Sequence, residues 1–155
     1  MGNCKLMIVF VGELIAMAFS IAAAAVLKYV DSDTVDKLCN GMIVFKDLCA
    51  YARATNAAFS FCVITSIFCF LCAGAVGASL VKEKLYKKLK MIVNILNVLG
   101  FIMMLIAIII VPVMYKDANG KGYFEDPTKE MQAFWACAFL SMLFNSSAAG
   151  GCLKM

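Results

Sequence analysis

The segment Met91–Met114 reads MIVNILNVLGFIMMLIAIIIVPVM and contains no charged residue. A helix needs about 20 consecutive apolar residues to cross the hydrocarbon core of a bilayer. Because the backbone of a spanning segment must satisfy its own hydrogen bonds in lipid, a helix is expected here. We therefore predict a membrane-spanning helix over these residues, with Pro112 close to its far end.

Three further apolar stretches of similar length occupy most of the remaining chain. The predicted spans are residues 6–27, 57–81, 91–114 and 131–151. The 155 residues are 64% hydrophobic and 15% charged, against about 45–50% and 25% in soluble domains. We predict a single all-α domain over residues 1–155, an integral membrane four-helix bundle. This composition argues against a soluble enzyme, a nucleic-acid-binding protein and a disordered chain.

The distribution of basic residues predicts the orientation. The 14 lysines and arginines divide equally between the two predicted sides, but those on one side crowd into the chain ends and one short turn. That turn contains Lys82, Lys84, Lys87, Lys88 and Lys90. Since basic residues concentrate in short cytoplasmic segments, we predict that both termini are cytoplasmic. The turn lysines are then expected to contact anionic lipid headgroups.

Two cysteines, Cys39 and Cys49, lie in the first predicted outer loop, residues 28–56. In an extracellular or lumenal compartment two such thiols are expected to form a disulfide that closes a small loop over the helix ends. The alternative is two free thiols in a mobile loop.

No pattern in the sequence indicates catalysis, a cofactor or a metal. The chain has no histidine, no paired carboxylates at a shared depth and no glycine-rich phosphate loop. Cys69 and Cys72 form a C-x-x-C within the second span. Hydrocarbon disfavours the thiolates that metal binding or redox exchange requires, so we interpret these cysteines as packing residues.

Polar residues inside the spans form the main candidate site. Glu13 lies seven residues into the first span, about 10 Å from its inner boundary. Asn94 and Asn97 of the third span and Asn145 of the fourth are expected at similar depth. Two interpretations stay open: a neutral Glu13 hydrogen-bonds to an amide and fixes helix register, or Glu13 exchanges a proton or cation with the cytoplasm.

Small residues in the second span predict close helix packing. Gly74, Gly77 and Ala78 lie in the run AGAVGAS, which places small side chains four residues apart. Such stripes let two helix backbones approach closely. The contact predicted here serves either the internal bundle or an oligomer.

Two local motifs carry a resemblance to a known family. They are CAYARATNA at Cys49–Ala57, leading into the second span, and AFWACAFLS at Ala133–Ser141 in the fourth. With the four-span topology, they resemble the MARVEL class, particularly synaptogyrins and synaptophysins. This chain departs from those proteins in having almost no cytoplasmic tail, which puts tail-mediated contacts in doubt.

The resemblance implies a non-enzymatic, membrane-organising or accessory subunit of vesicle, endomembrane or plasma membranes. Its expected partners are membrane lipids, anionic on the cytoplasmic side, and other membrane proteins or further copies of this chain. An alternative function is that of a small proton- or cation-coupled transporter or channel subunit centred on Glu13.

Overall fold

The computed structural model describes residues 2–29, 46–81, 83–114 and 129–153, and all of them are helical. The four helices are α1 (Gly2–Tyr29), α2 (Lys46–Val81), α3 (Glu83–Met114) and α4 (Lys129–Leu153). The prediction of an all-α protein is therefore confirmed for the described part of the chain.

The helices form a ring in chain order. α1 packs against α2 and α4, and α3 packs against the same two helices. α1 and α3 therefore face each other across the ring. Leu6 of α1, Val76 of α2, Val93 of α3 and Ala148 of α4 share one buried cluster. The start of α1, the junction between α2 and α3 and the end of α4 thus lie at one end, called here the basic end because it holds Lys5, Lys87 and Lys88.

Three of the helices are long and apolar enough to cross a membrane. The segments with this property are Cys4–Lys28 in α1, Arg53–Val81 in α2 and Lys87–Met114 in α3. Among the described residues, α4 does not meet this criterion. The structure thus supports a membrane protein with three candidate spanning helices.

α2 begins earlier than predicted, at Lys46, so Cys49 lies in a helix and not in the predicted outer loop. Alanines at 50, 52, 54, 57 and 58 explain the extension, since alanine is the strongest helix former. Ala54 and Ala58 are both buried, and residues four apart share one helix face. Packing therefore continues beyond the purely apolar stretch.

The predicted basic turn is wrong, because α3 already begins at Glu83 and includes Lys84, Lys87, Lys88 and Lys90. Lysine, leucine and glutamate are good helix formers, and residues 82–90 contain neither glycine nor proline. Leu85 and Leu89, four residues apart, are half-buried, whereas Lys87 and Lys88 are exposed. This segment is therefore an amphipathic first part of α3, and Lys82 lies outside the described residues.

The core has two apolar clusters with polar side chains between them. The cluster at the basic end is made by Leu6, Val9, Cys72, Val76, Val93 and Ala148. The cluster at the opposite end is made by Ala23, Ala24, Leu27, Ala58, Cys62, Met104, Ala107, Ile108, Val111, Met131, Phe134 and Ala138. The buried polar residues between them form the polar layer, defined as Glu13, Ser20, Thr65, Asn97, Ser141 and Asn145.

Gly100 is needed for this packing. A Cβ atom at Gly100 would lie 2.8 Å from Nδ2 of Asn145 and 3.4 Å from Cγ2 of Thr65. We expect Gly100→Ala to destabilise the protein by about 1–3 kcal/mol, the usual cost of overpacking. The measurement is thermal or denaturant unfolding in detergent, followed by circular dichroism.

The matched control is Gly74→Ala, because a Cβ atom there has no neighbour within 4 Å. This variant is expected to leave stability unchanged or to raise it by up to about 1 kcal/mol through helix propensity. Equal unfolding of the two variants would contradict the packing assigned to Gly100.

Candidate functional site: the polar layer

A hydrogen bond across the ring lies at the centre of the polar layer. Glu13 of α1 is fully buried, with 0% of its surface exposed, and Asn97 of α3 is 2% exposed. The Asn97 amide Nδ2 donates to Oε1 of Glu13 at 2.7 Å. Because α1 and α3 face each other across the ring, this bond passes through the bundle interior and ties together two helices that are not neighbours.

Asn145 of α4 enters the same layer beside Gly100 of α3. Its side chain is 1% exposed, and its Nδ2 occupies the space that a side chain at Gly100 would need. Gly100 is three residues after Asn97, on the same helix face. α4 thus brings Asn145 to within about one helical turn of the Glu13–Asn97 pair.

Hydroxyl groups connect the remaining neighbours in the ring. Oγ of Ser141 in α4 donates to the carbonyl of Ala16 in α1 at 3.0 Å. The Ser20 and Ser66 hydroxyls of α1 and α2 are 2.8 Å apart.

Thr65 supplies the connection between α2 and α3. Its hydroxyl donates to the Phe61 carbonyl at 2.8 Å and lies 3.5 Å from the Gly100 carbonyl. Each helix therefore contributes at least one buried polar group to the layer.

The four polar residues singled out in the sequence differ in their placement. Glu13 and Asn97 are in direct contact, and Asn145 lies close by. Asn94 is half-buried and lies one turn nearer the basic end, although its Oδ1 atom is buried. Sequence reasoning missed Thr65 and Gly100; the available signal was a glycine three residues after Asn97 in an otherwise large-residue span.

The polar layer and Asn94 beside it leave several buried atoms without a hydrogen-bond partner in the protein. They are Glu13 Oε2, Asn94 Oδ1, Asn97 Oδ1, Asn145 Oδ1 and Asn145 Nδ2. Native proteins contain few such atoms because each costs on the order of 1–3 kcal/mol. Four of the five are oxygens, so most of the unpaired atoms are acceptors.

The cysteines of the C-x-x-C contribute to packing around this layer. Cys69 is buried within electrostatic range of Glu13. The Cys72 thiol is buried and lies 3.7 Å from the Val93 carbonyl oxygen. Among the described residues, no group of three or more histidine, cysteine, aspartate or glutamate side chains is arranged to hold a metal ion.

The structure describes only one of the two cysteines of the predicted disulfide. Cys49 is buried in the first turns of α2 and is not one of the free thiols. Cys39 lies outside the described residues. Its pairing with Cys49 therefore stays a prediction.

The predicted lipid-contacting lysines differ in their exposure. Lys87 and Lys88 are exposed and Lys90 is half-buried, while the side chains of Lys82 and Lys84 lie outside the described part.

In the predicted small-residue stripe of α2, Gly74 and Ala78 face outward. Gly77 faces α1, where an added Cβ would lie 3.2 Å from the Phe10 ring. The stripe thus divides between the bundle interior and its surface.

An apolar groove of about 660 Å³ runs between α1 and α4 at the basic end. Met7, Val11 and Gly12 line one side, Phe144 and Ala148 line the other, and Lys5 lies at one end. Glu13 is not among the lining residues. The groove faces the surroundings of the bundle and does not open onto the carboxyl group.

The Glu13–Asn97 contact generates a prediction about two variants. Glu13→Ala should destabilise the protein by about 2–5 kcal/mol, because it leaves a cavity and removes the partner of a buried amide. Glu13→Gln should lose less than half as much, since glutamine still accepts from Asn97 and can donate to a neighbouring oxygen. Unfolding in detergent measures both, and equal losses would contradict the assigned hydrogen bond.

Comparison with known proteins adds no relative to this account. No family model, no curated protein and no solved structure matches the chain significantly. The resemblance to the MARVEL class therefore stays a prediction based on topology and two short motifs.

Proposed function

We propose that the chain is a non-enzymatic tetraspan protein that organises lipid or accompanies a larger complex in vesicle or surface membranes. The proposal rests on the contrast between the polar interior of the bundle and its apolar outer surface. Glu13, Asn97 and Asn145 are enclosed, whereas large apolar side chains such as Phe70 and Ile109 point outward, 64% and 55% exposed. A surface of this kind contacts lipid tails and other spanning helices.

The fourth span in this proposal is α4. Its 25 residues extend about 37 Å at 1.5 Å per residue, which exceeds the hydrocarbon thickness of about 30 Å. It packs along both α1 and α3, and its Asn145 and Ser141 are turned inward. Alternating helix directions then place both termini at the basic end, which the lysine distribution assigns to the cytoplasm.

At the opposite end we place the disulfide between Cys39 and Cys49. With the basic end in the cytoplasm, this end faces an oxidising lumen or the extracellular space, where disulfides persist. The pair closes the connection between α1 and α2.

The enclosure of Glu13 favours a structural role for this carboxyl over the transporter alternative. A transport site must open to water on at least one side during its cycle. Glu13 is fully buried, and the groove between α1 and α4 does not include it. In this proposal, its hydrogen bond to Asn97 holds α1 and α3 in register.

The outward stripe of Gly74 and Ala78 supplies a surface for a partner helix, either of another membrane protein or of a second copy. These small residues are four apart and exposed, the spacing that lets helix backbones approach closely. We expect Gly74→Ile to leave the unfolding temperature nearly unchanged but to reduce complex formation in native membranes. Crosslinking followed by native electrophoresis measures the complex.

The control for this experiment is Ala25→Ile, which enlarges an exposed small residue on α1. It should leave the complex intact. If both variants, or neither, changed the migration of the complex, the stripe would not be the partner surface.

The lysines at the start of α3 are proposed to hold anionic lipid. Each lysine near an anionic leaflet contributes about 1 kcal/mol of attraction. Replacing Lys84, Lys87 and Lys88 by glutamine should therefore weaken anionic phospholipid binding at least about tenfold. Mass spectrometry of lipid retained by the purified protein measures this loss.

An equal change of charge in and beside the segment that joins α3 to α4 serves as the control: Lys116, Lys121 and Lys129 replaced by glutamine. This triple variant should retain the lipid. Equal retention by the two triple variants would overturn the assignment of the lipid contact to the basic end.

A further inference from the structure

The polar layer combines one carboxyl group with an excess of oxygen atoms. Oε2 of Glu13 and the Oδ1 atoms of Asn94, Asn97 and Asn145 are buried without a hydrogen-bond partner in the protein. Glu13, Asn97 and Asn145 are each at least 98% buried. The feature to be explained is what satisfies these oxygens together.

Contacts between the helices place these oxygens in one region. Asn97 touches Glu13 directly, and Asn94 lies one turn away on the same helix face. Asn145 lies against Gly100, one turn from Asn97 in the other direction. The Ser141 hydroxyl of α4 donates to the carbonyl of Ala16 in α1. This contact sets α4 at a depth at which Asn145 is level with Glu13.

The amide hydrogen atoms of the layer do not reach its unpaired oxygens in this arrangement of side chains. One of the two amide hydrogens of Asn97 is donated to Oε1 of Glu13, and those on Asn145 Nδ2 make no hydrogen bond. A proton on Glu13 would add one donor and satisfy at most one further oxygen. With the side chains placed as they are, at least two of the three Oδ1 atoms would remain buried and unpaired.

A cation satisfies several oxygens simultaneously and also balances an ionised carboxylate. Hard cations are bound by carboxylate and amide oxygens together. The described parts of the spans bring no lysine or arginine to the layer. With a single carboxylate, a monovalent ion gives a neutral site, whereas a divalent ion would leave a buried positive charge.

We propose that the polar layer binds one alkali cation between the Glu13 carboxylate and the side-chain oxygens of Asn97 and Asn145. The ion acts as a structural element that joins α1, α3 and α4 in one register. This inference is independent of the lipid and partner roles proposed above.

The experiment measures thermal unfolding of the purified full chain in detergent. Sodium chloride or potassium chloride replaces choline chloride stepwise, so that ionic strength stays constant and surface charges are screened equally. A bound ion stabilises the folded state in proportion to the logarithm of its concentration above the dissociation constant. We expect the unfolding temperature to rise by about 5 °C or more with one of the two alkali cations.

Two variants locate the effect. Glu13→Gln removes the charge but preserves hydrogen bonding, so its unfolding temperature should not respond to the alkali cation. Ser147→Ala removes an exposed hydroxyl bonded only within α4 and should respond as the wild type does.

Binding of radioactive sodium or rubidium in equilibrium dialysis supplies the second readout and requires no variant. Saturable binding by the wild type supports the site. An unfolding temperature that is identical in sodium, potassium and choline, together with no saturable binding, would overturn the proposal and leave a protonated or hydrated layer. An equal cation response in Glu13→Gln would also overturn it.

Discussion

A carboxyl group in the interior of a lipid-embedded bundle must be paired, and the hydrogen bond from Asn97 to Glu13 is the constraint on which the rest of this structure depends. It joins α1 and α3, which face each other across the ring. The Ser141–Ala16 contact then sets the depth of α4 against α1, and the Ser20–Ser66 contact sets that of α2 against α1. Sliding any helix by one turn would separate at least one of these pairs.

This constraint matters because apolar packing alone discriminates poorly between registers in a membrane. Lipid tails are as apolar as the helix surfaces, so burying them against each other yields little free energy. The two apolar clusters fill the space on either side of the polar layer. Gly100 allows Asn145 to approach α3 closely. Register thus depends on a few polar contacts and on the absence of a side chain at Gly100. The outward faces remain available for lipid and partner helices.

The sequence predicts much of this arrangement but not its details. The helices and the polar residues at similar depth follow from hydropathy and from the 1.5 Å rise per residue. Hydropathy alone does not predict the early start of α2 at Lys46 or the helical lysines of α3. Charged residues at these positions suggest a loop, but alanine, lysine and leucine favour a helix. Thr65 and Gly100 were missed because their role depends on which helices are neighbours, and hydropathy carries no information on that.

Glu13 and Asn97 are expected to stabilise the bundle as a pair. A double-mutant cycle with Glu13→Ala, Asn97→Ala and the double variant, measured by reversible unfolding in detergent, tests it most directly. We predict that the two losses are strongly non-additive, with a coupling free energy of about 1 kcal/mol or more, as expected for a buried hydrogen bond. Additive losses would show that the two side chains contribute independently, which would contradict the account.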